Sequence, residues 1–245
     1  MADFVELWIY LSSTPLFGLT ATMAVYLLAQ WTYARLGHTP LANPVLWSVV
    51  LLAGALVVSG IPYQTYFSGA QFIHFLLGPA VVALAWPLWT RRAELRARWL
   101  RLSLAGLAGG AAACMASVGL AWLLGLPADV VLSLAPKSVT APVAMGISEA
   151  IGGVPALSAV FAVLTGLVGA LSGKYLFDAM GVPRDAAGWA ARGFALGTVS
   201  HGIGAARAIQ VDADAGAYAG LALGLQVILA SILMPLAFAA ARSAF

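Results

Sequence analysis

The apolar positions of this chain are gathered into continuous stretches of about 20 residues rather than into alternating segments of about 10. A stretch of that length, wound at about 1.5 Å per residue, matches a hydrocarbon core about 30 Å thick. In lipid only helices and closed barrels satisfy their own backbone, and the missing alternation selects the helix. The pattern therefore predicts an all-α, polytopic transmembrane helical bundle in which residues 1–245 form one integral membrane domain.

Six stretches read as spans: Pro15–Tyr33, Pro44–Ile61, Gly69–Trp89, Trp99–Leu124, Val154–Phe177 and Gly216–Ala241. Phe4–Leu11 is apolar but too short to cross. Trp31, Tyr33, Trp86 and Trp89 fall where interfacial aromatic anchors are expected. Two further segments predict broken or re-entrant helices. Residues 136–153 are punctuated by Pro136, Pro142, Gly146 and Gly152-Gly153, and residues 189–209 by Gly193, Gly197, Gly202 and Gly204. Whether each crosses or re-enters stays open on sequence. An echo of Pro15-Leu16 in Pro155-Ala156-Leu157, and of Pro87-Leu88 in Pro235-Leu236, fits two inverted structural repeats, an arrangement that places broken helices at matching positions.

Composition sharpens this picture. Apolar residues make up 62% of the chain and charged ones 9%, against roughly 25% charged in a water-soluble domain. The net charge of +3 is accounted for by one cluster, Arg91, Arg92, Arg96, Arg98 and Arg101 around Glu94, and is not a nucleic-acid footprint. The positive-inside rule makes Thr90–Arg101 a cytoplasmic loop, places the N-terminus outside and turns Gly125–Ala135 outward. The expected location is the bacterial inner membrane. Asp3 and Glu6 without a basic residue before Leu11 argue against a cleaved signal peptide. The single cysteine, Cys114, excludes an intrachain disulfide, and no Cys/His spacing suits a metal or calls for a cofactor.

Ionisable groups inside hydrocarbon cost about 2.5–3.5 kcal/mol each on insertion scales, so polar groups held there mark candidate sites. Pro136-Lys137-Ser138-Val139-Thr140-Ala141-Pro142 combines an ammonium, two hydroxyls and two helix-breaking prolines, and Ser148 and Glu149 follow. That inventory suits an anion at half-helix termini, with Glu149 as the partner of Lys137 or as a proton carrier; the blander alternative has Lys137 snorkelling to the interface. Thr198, Ser200, His201, Gly202, Gly204 and Arg207 form the second candidate: glycines that admit positive φ, an imidazole suited to proton coupling, and a guanidinium able to clamp a carboxylate. Here the alternative is a packed imidazole bonded to a carbonyl. Gln71 and His74 are secondary candidates in the third span. Gly169 and Gly173, and Gly216, Gly220 and Gly224, read as close helix packing within or between chains. Asp178, Asp185, Asp212 and Asp214 read as solvated turns. No catalytic constellation is present, and no enzyme activity is expected.

The motifs themselves carry a resemblance. Leu134 to Met145, Ile147-Ser148-Glu149, Gly152-Gly153-Val154-Pro155-Ala156-Leu157, Leu196 to Ala208, and Gly69 to Ala80 together resemble the signature of the LrgB family of CidB-, LrgB- and YohK-like membrane proteins. The resemblance runs from about Pro15 to Leu236. It implies a carrier of small monocarboxylates, of the pyruvate, glycolate and glycerate class moved by bacterial members and the plastid relative, proton- or ion-coupled. Alternatively it implies a holin- or antiholin-like modulator of murein hydrolase activity and autolysis. The second role involves a separate LrgA/CidA-type membrane subunit, and a homo-oligomer is compatible with either. The family usually carries Lys or Ala where this chain has Arg207.

Overall fold

The structure is a computed structural model that describes residues 15–76, 79, 82, 85–90 and 92–243. The apolar segment Phe4–Leu11 lies outside the described residues, and so does the side chain of His74. Among the described residues there are ten α-helices and no strand. The chain divides into two compact units, Met1–Val81 and Val82–Phe245.

The smaller unit contains α1 (Pro15–Arg35), a 3-10 turn (Pro40–Ala42), α2 (Pro44–Ser59) and α3 (Tyr63–Phe75). Asn43 starts α2: its Oδ1 accepts from the amides of Val45 and Leu46 at 2.9 and 3.2 Å, and Pro44 fills a position whose amide would be unpaired in any case. Gly60, at φ 68°, ends the helix in the left-handed region that glycine enters most easily. Helix α1 packs against α3 at Gly18, where a Cβ would fall 2.0 Å from the Tyr66 carbonyl oxygen. One turn on, Thr22 Oγ1 and Tyr66 Oη are hydrogen-bonded at 2.7 Å.

The larger unit contains α4 (Ala85–Thr90), α5 (Arg92–Leu123), α6 (Ala128–Leu134), α7 (Ala141–Ile151), α8 (Pro155–Ala179), α9 (Ala186–Val211) and α10 (Ala213–Ser243). Among the described residues three stretches are long and apolar enough to cross a membrane: Arg96–Leu123, Pro155–Ala179 and Ala213–Ala240. Helix α8, with 25 residues, reaches about 37 Å. The outward sides of these helices carry large apolar residues such as Trp122, Val168 and Leu236. A protein that folds in water rarely exposes contiguous apolar faces of this extent, whereas lipid requires them.

Several sequence expectations change. The arginine-rich segment is not a loop: α5 is helical from Arg92 onward, and only Arg98 (φ −126°, ψ 16°) leaves helical geometry. Arginine is a good helix former, so the charge cluster extends the span as an exposed helix. Gly69–Trp89 is not a single element: α3 begins earlier, at Tyr63, and closes at Phe75, and helix α4 starts at Ala85. The expected outward loop Gly125–Ala135 contains α6. Irregularity in residues 136–153 is confined to the turn 135–140 and the Gly152 cap at φ 91°.

The most consequential change concerns α9. Gly193, Gly197, Gly202 and Gly204 do not break it, and none of them has positive φ; the break is at His201, φ 40° and ψ −135°. Residues 196 and 204 of a continuous helix would be about 12 Å apart along the axis. Here the Cβ position of Gly204 lies 2.8 Å from the Leu196 carbonyl oxygen and 2.6 Å from Ser200 Cβ. The chain folds back at His201, so α9 is a hairpin of two arms, residues 186–200 and 202–211. Asp212 reverses it again, its Oδ1 accepting from the amides of Asp214 and Ala215 at 2.9 and 3.1 Å to start α10. Asp185 does the same for α9 through the Gly188 amide at 2.8 Å. Two of the aspartates read as solvated turns are therefore helix caps.

The glycines set interhelical distance instead. A Cβ at Gly193 or Gly197 would sit 2.0 or 2.1 Å from the carbonyl oxygens of Ala215 and Ala219, so the first arm of α9 and the start of α10 run side by side in the same direction. On α8, Gly166, Gly169 and Gly173 receive His201 and Ile203, Ser200, and Leu196 respectively. Gly197→Ala is therefore expected to lower the thermal unfolding temperature in detergent, with a cost of roughly 1–3 kcal/mol for an overpacked contact. Gly202→Ala adds the same methyl where nothing lies within 4 Å and leaves the temperature unchanged.

Candidate functional site

The site is built from two interruptions that reach the same part of α8. The first is the turn 135–140 between α6 and α7. Pro136 and Pro142 keep helix from propagating through it. The turn closes on itself: the amides of Ala135, Lys137 and Val139 donate to the carbonyls of Leu132, Leu134 and Pro136 at 3.2, 3.3 and 3.1 Å. It thus offers fewer free backbone donors than its two prolines suggest. The second interruption is the α9 tip at Ser200-His201-Gly202. The His201 ring is buried, and its Nε2 lies 2.7 Å from the Ala162 carbonyl oxygen. Ala162 also belongs to the buried cluster that holds Ala135 and Val139 of the first turn. It is the eighth residue of a 25-residue helix, about 12 Å in from its end, so both interruptions sit well inside the span.

Two buried serines hold the first turn in place, and a third packs beside them. Ser133 Oγ donates to the Asp129 carbonyl at 2.6 Å and accepts from the Val154 amide at 2.8 Å. Ser158 Oγ donates to the Ser133 carbonyl at 2.8 Å. Ser148 Oγ is buried beside Gly153, without a hydrogen-bond partner among the described residues. The bonds of Ser133 and Ser158 join α6 to the start of α8.

Between the two interruptions a cleft of about 500 Å³ runs along α8. Lys137 and Ser200 both line it, with Thr165 and Ser172 of α8 among apolar residues such as Phe161 and Val168. Lys137 is half-buried. Its Nζ lies 3.5 Å from Ser138 Oγ, and no carboxylate pairs with it among the described residues. An ammonium away from bulk water without a counter-ion favours any anion that can enter the cleft.

The other candidates are dispersed. Ser138 is buried next to Lys137. Thr140 Oγ1 is buried and has no partner among the described residues. Glu149 is exposed on α7, whose buried side is formed by Ala144, Ile147, Ser148 and Ile151; it does not pair with Lys137. A helix places position 149 on the side opposite the packed one, which sequence spacing alone does not reveal. Thr198 Oγ1 donates to the Phe194 carbonyl at 2.8 Å, and its methyl faces Gly109 of α5, away from the cleft. His201 does not line the cleft, and the imidazole is the packed, carbonyl-bonded residue of the alternative reading. Gly202 faces open space and Gly204 is a packing contact. Arg207 is buried on the second arm of α9 and does not line the cleft. Gln71, in the smaller unit, donates to the Ser68 carbonyl at 2.8 Å.

Sequence reading missed Thr165 and Ser172, which look like ordinary small polar residues of a span. It also missed Arg192. This guanidinium is buried between the rings of Trp189 and Phe177, pairs with Asp178 Oδ1 at 2.9 Å and donates to the Val182 carbonyl. Asp178 also takes Arg184 at 2.7 Å, so it is an ion-pair centre and not a free turn residue. The signal was available as an arginine four residues from the start of an apolar segment.

These features define a polytopic helical membrane protein in which two interrupted segments converge on a cleft lined by a lysine that no carboxylate pairs among the described residues. The chain belongs to the LrgB-like family, whose profile matches residues 22–240. It is 36% identical to an uncharacterised protein of Haemophilus influenzae, covering 80% of this chain and 83% of the relative. It is 32% identical to the uncharacterised protein YwbG of Bacillus subtilis, covering 86% and 92%. Similarity extends to a protein of Staphylococcus epidermidis named holin-like protein CidB, 29% identical over 81% of this chain and 85% of that one. No solved structure matches the chain.

The Arg192 arrangement predicts an order of stability. Arg192→Ala should lower the unfolding temperature in detergent more than Arg184→Ala, because only the buried arginine holds the α8–α9 connection from inside; circular dichroism melts of the two variants check this.

Proposed function

We propose that this chain is a holin-like protein of the bacterial inner membrane that modulates murein hydrolase activity, acting with a separate LrgA/CidA-type membrane subunit. The match to the LrgB-like family over residues 22–240 carries this reading, and the CidB relatives of Staphylococcus support it by name. Removing the chain from cells should change the rate of detergent-induced autolysis and the murein hydrolase pattern on zymograms. An unchanged rate and pattern count against the reading.

One observation favours a second reading, carriage of a small monocarboxylate such as pyruvate, glycolate or glycerate. It is the Lys137 ammonium, unpaired among the described residues, on a cleft between two interrupted segments. In this reading Lys137 holds the carboxylate, with the Ser138 hydroxyl beside its Nζ orienting the ammonium, Ser200 and Thr165 donate from the cleft lining, and His201 positions Ser200 without touching substrate. Thr140, Glu149, Thr198, Gly202, Gly204 and Arg207 stay outside the binding step, since none lines the cleft. Interrupted helices at mid-span are costly in lipid, and an ion-binding cleft gives a reason for two of them on the same helix face.

The two readings separate in proteoliposomes. Carriage predicts saturable uptake of labelled substrate. Lys137→Ala lowers uptake roughly 10- to 100-fold, the value of a hydrogen bond to a charged group of about 1.5–3 kcal/mol. A pore predicts release of unrelated solutes without saturation, unchanged in Lys137→Ala.

A further inference from the structure

A second cavity, of about 380 Å³, lies between α5 and α10 and shares no lining residue with the Lys137 cleft. Its wall is apolar, formed by residues such as Leu107, Val118, Leu229, Met234 and Phe238, with the Cys114 thiol among them. No ionisable group other than that thiol lines it. One polar side chain faces it: Gln226, only 4% exposed, whose Oε1 has no hydrogen-bond partner among the described residues.

Gln226 is held in this position. Its carboxamide lies over Gly110, where a Cβ would fall 2.0 Å from Nε2 and 3.1 Å from Oε1. Both residues are near the middle of their spans, Gly110 in 96–123 and Gln226 in 213–240. At that depth neither water nor a lipid headgroup is at hand to satisfy a carbonyl oxygen, and a buried acceptor without a donor is costly. The rim residues Met115 and Leu233 are exposed on the outward face of the unit, so the cavity opens toward the bilayer.

We propose that this cavity binds an uncharged, largely apolar molecule carrying one hydroxyl group, drawn from the bilayer, with Gln226 Oε1 accepting its hydrogen bond. The apolar wall excludes an ion, and the orphaned acceptor selects a donor over a plain hydrocarbon. A molecule with a fixed charged headgroup is excluded as well, because the acceptor lies at mid-depth.

Cys114 is the only cysteine of the chain and lines the cavity, so it reports occupancy without engineering. The full chain in liposomes is treated with methyl methanethiosulfonate in the presence of dodecanol or dodecyl methyl ether, which has the same apolar body but no donor. Dodecanol should slow modification of Cys114 about tenfold at roughly ten times its half-protecting concentration, and the ether should protect far less. In Gln226→Leu the alcohol should protect no better than the ether. Met115→Trp, at an exposed rim position that tolerates bulk, should lower protection by blocking entry, and tests the site should Gln226→Leu fail to fold. Equal protection by alcohol and ether in the native chain, no protection by either, or full alcohol protection retained in a folded variant would overturn the proposal.

Discussion

The larger unit is organised by the small-residue face of α8. Gly166, Gly169 and Gly173 lack the side chains that would keep α9 away, and Ala162 presents a carbonyl that takes the His201 ring at 2.7 Å. A helix carbonyl already serves its own ladder and has one lone pair left, so a ring nitrogen can bond to it without breaking the helix. That contact offsets the strain of a non-glycine residue at φ 40°. The hairpin of α9, its reversal into α10 and the placement of Ser200 on the cleft all follow from it.

Close backbone approach is the common mechanism of assembly. Lipid tails are as apolar as the side chains that face them, so helices in a bilayer gain little by hiding leucine from lipid. What remains is van der Waals contact and hydrogen bonding. Both are strongest where glycine, alanine and serine let helices come near, as at Gly193 and Gly197 against α10, Gly18 against α3, and the serine bonds between α6 and α8. The large apolar residues are left on the outside.

Charge is distributed by the same logic. Arg192 is buried only because two aromatic rings and Asp178 surround it. The other arginines of the unit's amino-terminal side, Arg92, Arg96, Arg98 and Arg101, are on an exposed helical extension of α5. Lys137 differs from both groups, being half-buried with its Nζ beside the Ser138 hydroxyl and no carboxylate paired with it among the described residues. A site that must accept and release an anion needs a cation in this condition, whereas a cation kept for stability would be paired. The family match and the holin-like relatives bear on physiological role, whereas Lys137, with no carboxylate partner among the described residues, bears on chemistry.

The primary sequence determined the solvent, the helical class and the family. Run length and charge content leave lipid and helix as the physical solution, and the proline-bracketed lysine and the histidine-centred motif are specific enough to identify relatives. It also marked both interrupted segments, the first through Pro136 and Pro142 and the second through its run of glycines, although the glycines are not where the second one breaks. What it left undecided was direction. Whether a glycine bends a chain or admits a neighbour depends on the helix opposite, and here Gly197 and Gly204 admit neighbours while His201 makes the bend. Whether Glu149 faces Lys137 depends on how α7 is rotated, and whether Ser200 or His201 lines the cleft depends on the hairpin. These are consequences of contacts distant in sequence, so only the tertiary structure decided them.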